Sequence, residues 1–312
     1  MPGLYQQLLQ HFGSANIGSI NMRIGFAGLG RMGWPMAANL ASNNSALVVW
    51  NRSPDKARSF AQQYGVQYVD SPSQLAAQCD IVITMLADDR ASEAVHFGEE
   101  GLFTRLNAVD NKHSCIFIEM GTISPDHLAC LQQQADGQRV IDAPVSGATQ
   151  AATEGKLLIM AGATPLEVMA LGPVFEPLSR KVMALTKPGA GCVMKLSVNM
   201  LIHGLNQCLA ESMALALSAG ISAEQAFEVI ENSAAAAPSV VYRKKLYLDE
   251  AAHPVSFTVA LAKKDMGLAL ELAKQNGVNM PQSEVTHGQL VSASDSGYAD
   301  RDMAAMVQFN LS

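Results

Sequence analysis

Through the first half of the chain, short apolar runs alternate with stretches of helical periodicity; from Gly191 onward only helical periodicity remains. The apolar runs are Arg23–Ala27, Ala46–Trp50, Ile81–Leu86, Cys115–Met120 and Arg139–Asp142. They are apolar at successive rather than alternate positions, which predicts parallel strands buried on both faces. Helical patterns fall between them: WPMAANLAS, a segment starting at Ser53-Pro54-Asp55, one from about Asp89, and one from Ser124-Pro125. Ser53, Pro54 and Asp55 read as a cap, a first-turn proline and an early acid. Leu157–Ala161 and Lys181–Thr186 add two strands, with Thr149–Thr153 and Pro165–Phe175 helical. The second half predicts helices over Ala223–Asn232, around Pro238–Leu248, and over Val259–Gln275, Pro281–Ser294 and Asp302–Phe309, punctuated by Gly220, Gly277 and Pro281.

One element joins the halves. After Gly189-Ala190-Gly191 nothing interrupts a helix until Ala219-Gly220. At about 1.5 Å per residue, Gly191–Ala219 spans on the order of 43 Å, enough to cross from one domain to another. It is apolar nearly all round, which predicts packing on several sides. Lys195, Asn199, His203, Asn206 and Glu211 interrupt it too often for a membrane span. Lys195 and Asn199, four apart, leave one face a turn from each other. A lysine near a helix start sits at the less favourable end for a cation. Its stem can also lie on apolar surface while the ammonium reaches water, so the helix alone leaves its role open.

With 312 residues, 49% of them hydrophobic and 16% charged, the chain holds two domains and a substantial core. A net charge of −7, spread without blocks, argues against nucleic acid or anionic membrane as the main partner. Cys79, Cys115, Cys130, Cys192 and Cys208 include no CxxC pair and suit reduced, buried thiols in a cytoplasmic protein. No His, Cys, Asp and Glu cluster has metal-ligand spacing. Residues 1–21 lack the basic and apolar regions of a secretory signal and read as an extension ahead of Met22.

The first strand runs into Gly28-Leu29-Gly30-Arg31-Met32-Gly33, a G-x-G-x-x-G turn that opens a helix. The first glycine allows the tight turn, the second lets backbone approach a pyrophosphate, and the third permits close helix–strand packing. The flanking strands and helix supply the βαβ context that a bare glycine pattern lacks. Asn51, 23 residues after Gly28, stands where an NAD site places a carboxylate for the ribose 2′-hydroxyl. Asn51 is neutral, and Arg52 beside it and Ser53 can serve a 2′-phosphate, so NADPH is favoured over NADH. Leu86-Ala87-Asp88 and Gly121-Thr122 follow the fourth and fifth strands, where such sheets bind ligands. The predicted fold is a Rossmann-like α/β domain with a mostly parallel sheet (22–187), then an all-α domain (188–312) entered through the long helix 191–219.

Asp142-Ala143-Pro144-Val145-Ser146-Gly147-Ala148 can offer backbone N–H groups to a carboxylate, or serve as a plain turn. Phe257 and Lys263-Lys264-Asp265-Met266-Gly267 also stand out, although an acid beside two lysines is often surface charge.

Taken jointly, GFAGLGRMGWPMAANL (25–40), WNRSPDKA (50–57), MLADD (85–89), GTISP (121–125), DAPVSGA (142–148), GAGCVMKLSVNM (189–200) and KKDMGLAL (263–270) resemble the β-hydroxyacid dehydrogenase family. The resemblance runs from about Met22 to the C-terminus in the family's order. It implies that Lys195 is catalytic, that Asn199 positions substrate, and that Ser146, Gly147 and Ala148 form the carboxylate turn. It also implies that Thr122 and Lys264 lie along the cofactor, and that Phe257 and Asp265 form the pocket pair of the glyoxylate/succinic semialdehyde branch. Three positions depart from the usual pattern: Ala148 replaces a glycine, Ala87 a proline, and Ala91 an asparagine. The implied reaction is NADPH-dependent reduction of a small aldehyde or ketone bearing a carboxylate, such as glyoxylate, succinic semialdehyde or tartronate semialdehyde, by a homodimer or homotetramer. Alternatives are a 3-hydroxyisobutyrate dehydrogenase, an imine reductase, which usually lacks the lysine, and a cofactor-binding interaction module without turnover.

Overall fold

A computed structural model of the chain describes residues 22–43, 46–104 and 115–312, so the N-terminal extension lies outside the described residues. Two compact units divide the chain between Lys195 and Leu196.

In the first unit the apolar runs form β1 (Ile24–Ala27), β2 (Leu47–Trp50), β4 (Ile81–Thr84), β5 (Ile116–Glu119) and β6 (Arg139–Asp142), with a two-residue β3 (Gln67–Tyr68) at the edge. All pair in parallel, in the order β3-β2-β1-β4-β5-β6. Their successive apolar positions are explained by two cores. Ile24, Phe26, Leu47, Val49, Ile81, Ile83, Ile116 and Ile118 fill one face. Val48, Val82, Phe117 and Val140 fill the other. Each such side chain contributes about 1.5–3 kcal/mol by leaving water. Strand order reverses at β1, which has β2 on one side and β4 on the other, and the ends of β1 and β4 therefore open a crevice.

The remaining strands form a sheet of their own rather than extending the first. β7 (Val145–Ser146) runs antiparallel to β8 (Leu157–Ala161), and β8 parallel to β9 (Ser179–Ala184). The segment expected as one helix over Pro165–Phe175 breaks at Leu171 into Pro165–Ala170 and Gly172–Phe175. Ser53 takes the cap position of helix Pro54–Tyr64, but its side chain makes no capping bond.

The long helix covers Ala190–Ser218. Its first six residues belong to the first unit and the rest to the second. In the second unit, Leu209, Ala210 and Met213 of this helix pack with Phe227, Tyr247, Val259, Met266, Leu290 and Met306. Helices Val259–Gln275 and Pro281–Ala293 supply much of that core. One flank of the helix is open: Leu201 is 62% and Leu215 73% exposed, and Leu205 is exposed between them. About four helical turns of this flank have no neighbour among the described residues to cover them.

A buried ion pair organises the loop ahead of helix Val259–Gln275. The Arg243 guanidinium meets the Asp302 carboxylate, which also accepts the backbone N–H groups of Ser256 (2.8 Å), Phe257 (3.2 Å) and Ala304 (2.9 Å). Phe257 is thereby held by its backbone. Cys79, Cys115 and Cys192 are buried as expected, whereas Cys130 and Cys208 are exposed. No helix among the described residues is long and apolar enough to cross a membrane.

Candidate active site

The crevice at the ends of β1 and β4 is a cavity of about 570 Å³, lined by Gly28, Gly30, Asn51, Arg52, Ser53, Leu86 and Ala87 among others. These are seven of the positions assigned to the cofactor from sequence. The glycines behave differently from one another. Gly28 has φ +106, and a Cβ there would overlap the carbonyl oxygen of Met85. A Cβ on Gly33 would overlap the carbonyl oxygen of Gly28, so this glycine serves close packing. Gly30 has nothing within 4 Å of a notional Cβ and faces open space. A pyrophosphate fits such a turn, because backbone can approach it and the helix Gly33–Asn43 presents its N-terminus.

Leu29 is fully buried in the core, Met32 packs partly against it, and Arg31 is exposed. Asn51 does more than line the wall. Its Oδ1 accepts the Leu29 N–H at 2.9 Å, bracing the glycine turn from β2. Arg52 and Lys56 are exposed on the same wall, and neither side chain is engaged in an ion pair among the described residues. Lys56 was missed from sequence; its signal was position, four residues beyond Arg52 in the first turn of the next helix.

The two loops expected beside the cofactor meet. A Cβ on Gly121 would lie 2.7 Å from the carbonyl oxygen of Leu86. The Asp89 carboxylate accepts the Ser124 N–H at 2.9 Å and its hydroxyl at 2.6 Å, tying the loop that carries Thr122 to helix Asp89–Phe97. Thr122 itself is half-buried and lies outside the cavity lining.

Ser146 ends β7, paired with Leu158 of β8. Gly147 is exposed at φ +138, and Ala148 takes the cap position of helix Thr149–Thr153. Lys195 is half-buried in the second turn of the long helix. In the second unit, Asn199 donates its Nδ2 to Asp265 Oδ2 at 2.5 Å, and Lys264 Nζ lies 2.9 Å from Asp265 Oδ1. The Lys264–Asp265 pair is therefore not surface charge, since Asp265 is buried. The buried His203 ring lies on Phe257, centroids 5.4 Å apart, with Nε2 3.9 Å from Asp265. This gathers Asn199, Phe257, Lys264 and Asp265 into one cluster.

Family descriptions match consecutive stretches: the NAD binding domain of 6-phosphogluconate dehydrogenase over residues 23–186, and the NAD-binding domain of NADP-dependent 3-hydroxyisobutyrate dehydrogenase over 189–310. The mitochondrial 3-hydroxyisobutyrate dehydrogenase of Drosophila melanogaster is 31% identical over 91% of this chain and 87% of its own. Glyoxylate/succinic semialdehyde reductase 1 of Arabidopsis thaliana is 28% identical over 92% of this chain and 98% of its own. Among solved structures, a Mycobacterium tuberculosis 3-hydroxyisobutyrate dehydrogenase with L-serine superposes with a TM-score of 0.76 at 28% identity, covering 92% of this chain and 98% of that one. The chain belongs to the β-hydroxyacid dehydrogenase family. It is an oxidoreductase that uses a nicotinamide dinucleotide.

Behind the cofactor wall this β-hydroxyacid dehydrogenase buries a titratable pair. Burial pushes the Glu119 carboxyl up to about 7, against hydrogen bonds from Ser92, Thr84 and Gly121 that favour its charged form. The Ser92 hydroxyl donates to Glu119 Oε2 at 2.8 Å. Burial also pushes His96 down to about 4. The two act on stability with opposite sign. The raised pKa of Glu119 gives a contribution complete below about 4.5, the ordinary value, and lost as pH rises through about 7. The depressed pKa of His96 gives one complete above about 6.5 and lost as pH falls through about 4. At about 1.4 kcal/mol per pKa unit each is worth on the order of 3 kcal/mol, and they largely offset between. Glu119→Gln removes the first, so the variant should gain stability relative to wild type as pH is raised from 4.5 to 8. Thermal unfolding across that range checks it; parallel curves for the two proteins would show that Glu119 is not the buried acid responsible.

Proposed function

We propose that the protein reduces a small aldehyde or ketone bearing a nearby carboxylate, with glyoxylate and succinic semialdehyde foremost and NADPH preferred. The observation that carries this reading is the hydrogen bond of Asn199 to Asp265 at 2.5 Å, with Phe257 on His203 beside it. It unites the residue pair that resembles the glyoxylate/succinic semialdehyde branch with the helix bearing Lys195. The Arabidopsis relative named for those two substrates supports the same branch.

The residues suited to hold NADPH are the glycine turn, Asn51, and Arg52 with Lys56 for the 2′-phosphate. When bound, the cofactor supplies hydride for the carbonyl carbon. Lys195 holds a proton for the carbonyl oxygen, where negative charge develops. Asn199 orients the substrate, and its bond to Asp265 restricts the rotamer from which it does so. The Ser146–Gly147 turn takes the carboxylate, which favours oxo acids over neutral aldehydes. Orientation by these groups supplies the part of the acceleration that proton transfer does not.

The test is a panel of glyoxylate, succinic semialdehyde, tartronate semialdehyde and 3-hydroxyisobutyrate, each with both cofactors, and a cyclic imine beside them. The highest kcat/KM should fall on glyoxylate or succinic semialdehyde with NADPH. Faster oxidation of 3-hydroxyisobutyrate with NAD, or turnover of the imine alone, would replace this reading with one of its rivals.

A further inference from the structure

We propose that Asp142 is a positioning residue: its carboxylate clasps the first turn of the long helix and sets where Lys195 stands relative to the Ser146–Gly147 turn. The inference rests on the reading of Lys195 as the proton donor. Asp142 is the last residue of β6 and is completely buried. Its Oδ1 accepts the Gly189 N–H at 2.9 Å and its Oδ2 the Cys192 N–H at 3.0 Å. Both oxygens thus serve donors that have no partner within the helix itself, at the end whose partial positive charge favours an anion.

The surroundings are cut to the shape of that carboxylate. A Cβ on Gly162 would overlap Oδ1, and one on Gly191 would lie 2.8 Å from Oδ2 and overlap the carbonyl oxygen of Met160. Gly189, whose N–H enters the clasp, adopts φ +83. Two glycines from different segments, β8's exit and the helix start, leave room for one side chain. A helix start can be capped at the surface by serine, threonine or asparagine. Burying a full carboxylate costs solvation instead, and what it adds is a two-point, rigid fixation.

That fixation reaches both sides of the proposed chemistry. Lys195 lies three residues beyond Cys192, within one turn of a continuous helix, so displacement at Cys192 passes to it undiminished. In the other direction, Asp142 leads through the buried Ala143, Pro144 and Val145 to Ser146. The backbone on this path is itself anchored. Ala143 N–H bonds the Glu119 carbonyl at 2.8 Å, and Met160 N–H bonds the Pro144 carbonyl at 3.0 Å.

Asp142→Asn replaces one acceptor with a donor facing an N–H. It should lower kcat on the order of 10²-fold, the effect of a misplacement of about 1 Å. NADPH affinity, read by fluorescence titration, should stay within threefold, since the glycine turn is untouched. Gly162→Ala keeps the charge of Asp142 but displaces it, and should give the same split between kcat and cofactor binding. Asp142→Asn that folds, binds NADPH and turns over within threefold of wild type overturns the proposal. If neither variant folds, hydrogen exchange of the unaltered protein decides. The amides of residues 189 and 192 must exchange as slowly as the core strands, and rapid exchange there overturns the clasp. Lys195→Ala separates the two failures. An inactive Lys195→Ala beside an active Asp142→Asn sinks only the clasp, whereas an active Lys195→Ala sinks the proton-donor reading beneath it.

Discussion

Lys195→Ala is expected to lower kcat by about 10²–10⁴-fold, the usual share of a positioned proton donor, while NADPH binds nearly as before. The helix makes this a clean experiment. Lys195 sits in the second turn of a helix running without interruption from Ala190 to Ser218, and alanine has the best helix propensity of any residue. The change therefore removes the ammonium without loosening the element that carries it. It also lies outside the cavity lined by Gly28, Gly30 and Arg52, so cofactor affinity is an independent control. Loss of kcat and of kcat/KM in equal measure would mark an interaction made only in the transition state. A raised KM at unchanged kcat would make Lys195 a binding residue instead. Near-normal turnover would remove it from the chemistry altogether.

Arg52→Ala should weaken NADPH roughly ten- to hundredfold, the worth of hydrogen bonds to a charged group at about 1.5–3 kcal/mol, and leave NADH within a factor of about two to three. The wall of the cavity near β2 offers Arg52 and Lys56 and no carboxylate at residue 51. Arginine matches phosphate with a planar fork, and a neutral Asn51 does not repel it. Both side chains are exposed, so the proposed preference for NADPH should also shrink as ionic strength rises. Lys56→Ala should act in the same direction and less strongly, because an ammonium meets phosphate as a point charge. Titration of both cofactors against both variants gives the answer. Equal losses for NADH and NADPH would mean that Arg52 supports the loop rather than reads the phosphate.

Much of this architecture is legible in the chain because its cause is local. A buried parallel strand needs an unbroken apolar run, and β1, β2, β4, β5 and β8 each have one, whereas β6 is apolar only at its two central residues. The glycine turn is legible for the same reason. The demand for space at Gly28 and Gly33 comes from neighbours in its own βαβ unit and the adjoining β4 end. Elements created by pairing are not legible in the sequence. β3 and β7 have two residues each, too few for any period, and exist because β2 and β8 offer them an edge. Asn51 shows the same limit within the site. Its neutral side chain reads in sequence as the absence of a carboxylate, yet its bond to Leu29 depends on β2 lying beside β1.

The sequence by itself determined the longer strands and helices and where the glycine turn lies. Those follow from short-range sterics and periodicity. Only the tertiary structure decided what the buried acids do. Asp142 clasps a helix start 47 residues away, Asp302 holds the loop of Phe257, and Asp265 meets Asn199 across 66 residues. A carboxylate reads the same in sequence whether solvated or buried. Its role is assigned by the N–H and amide donors that folding brings to it, because a charge removed from water has to find them.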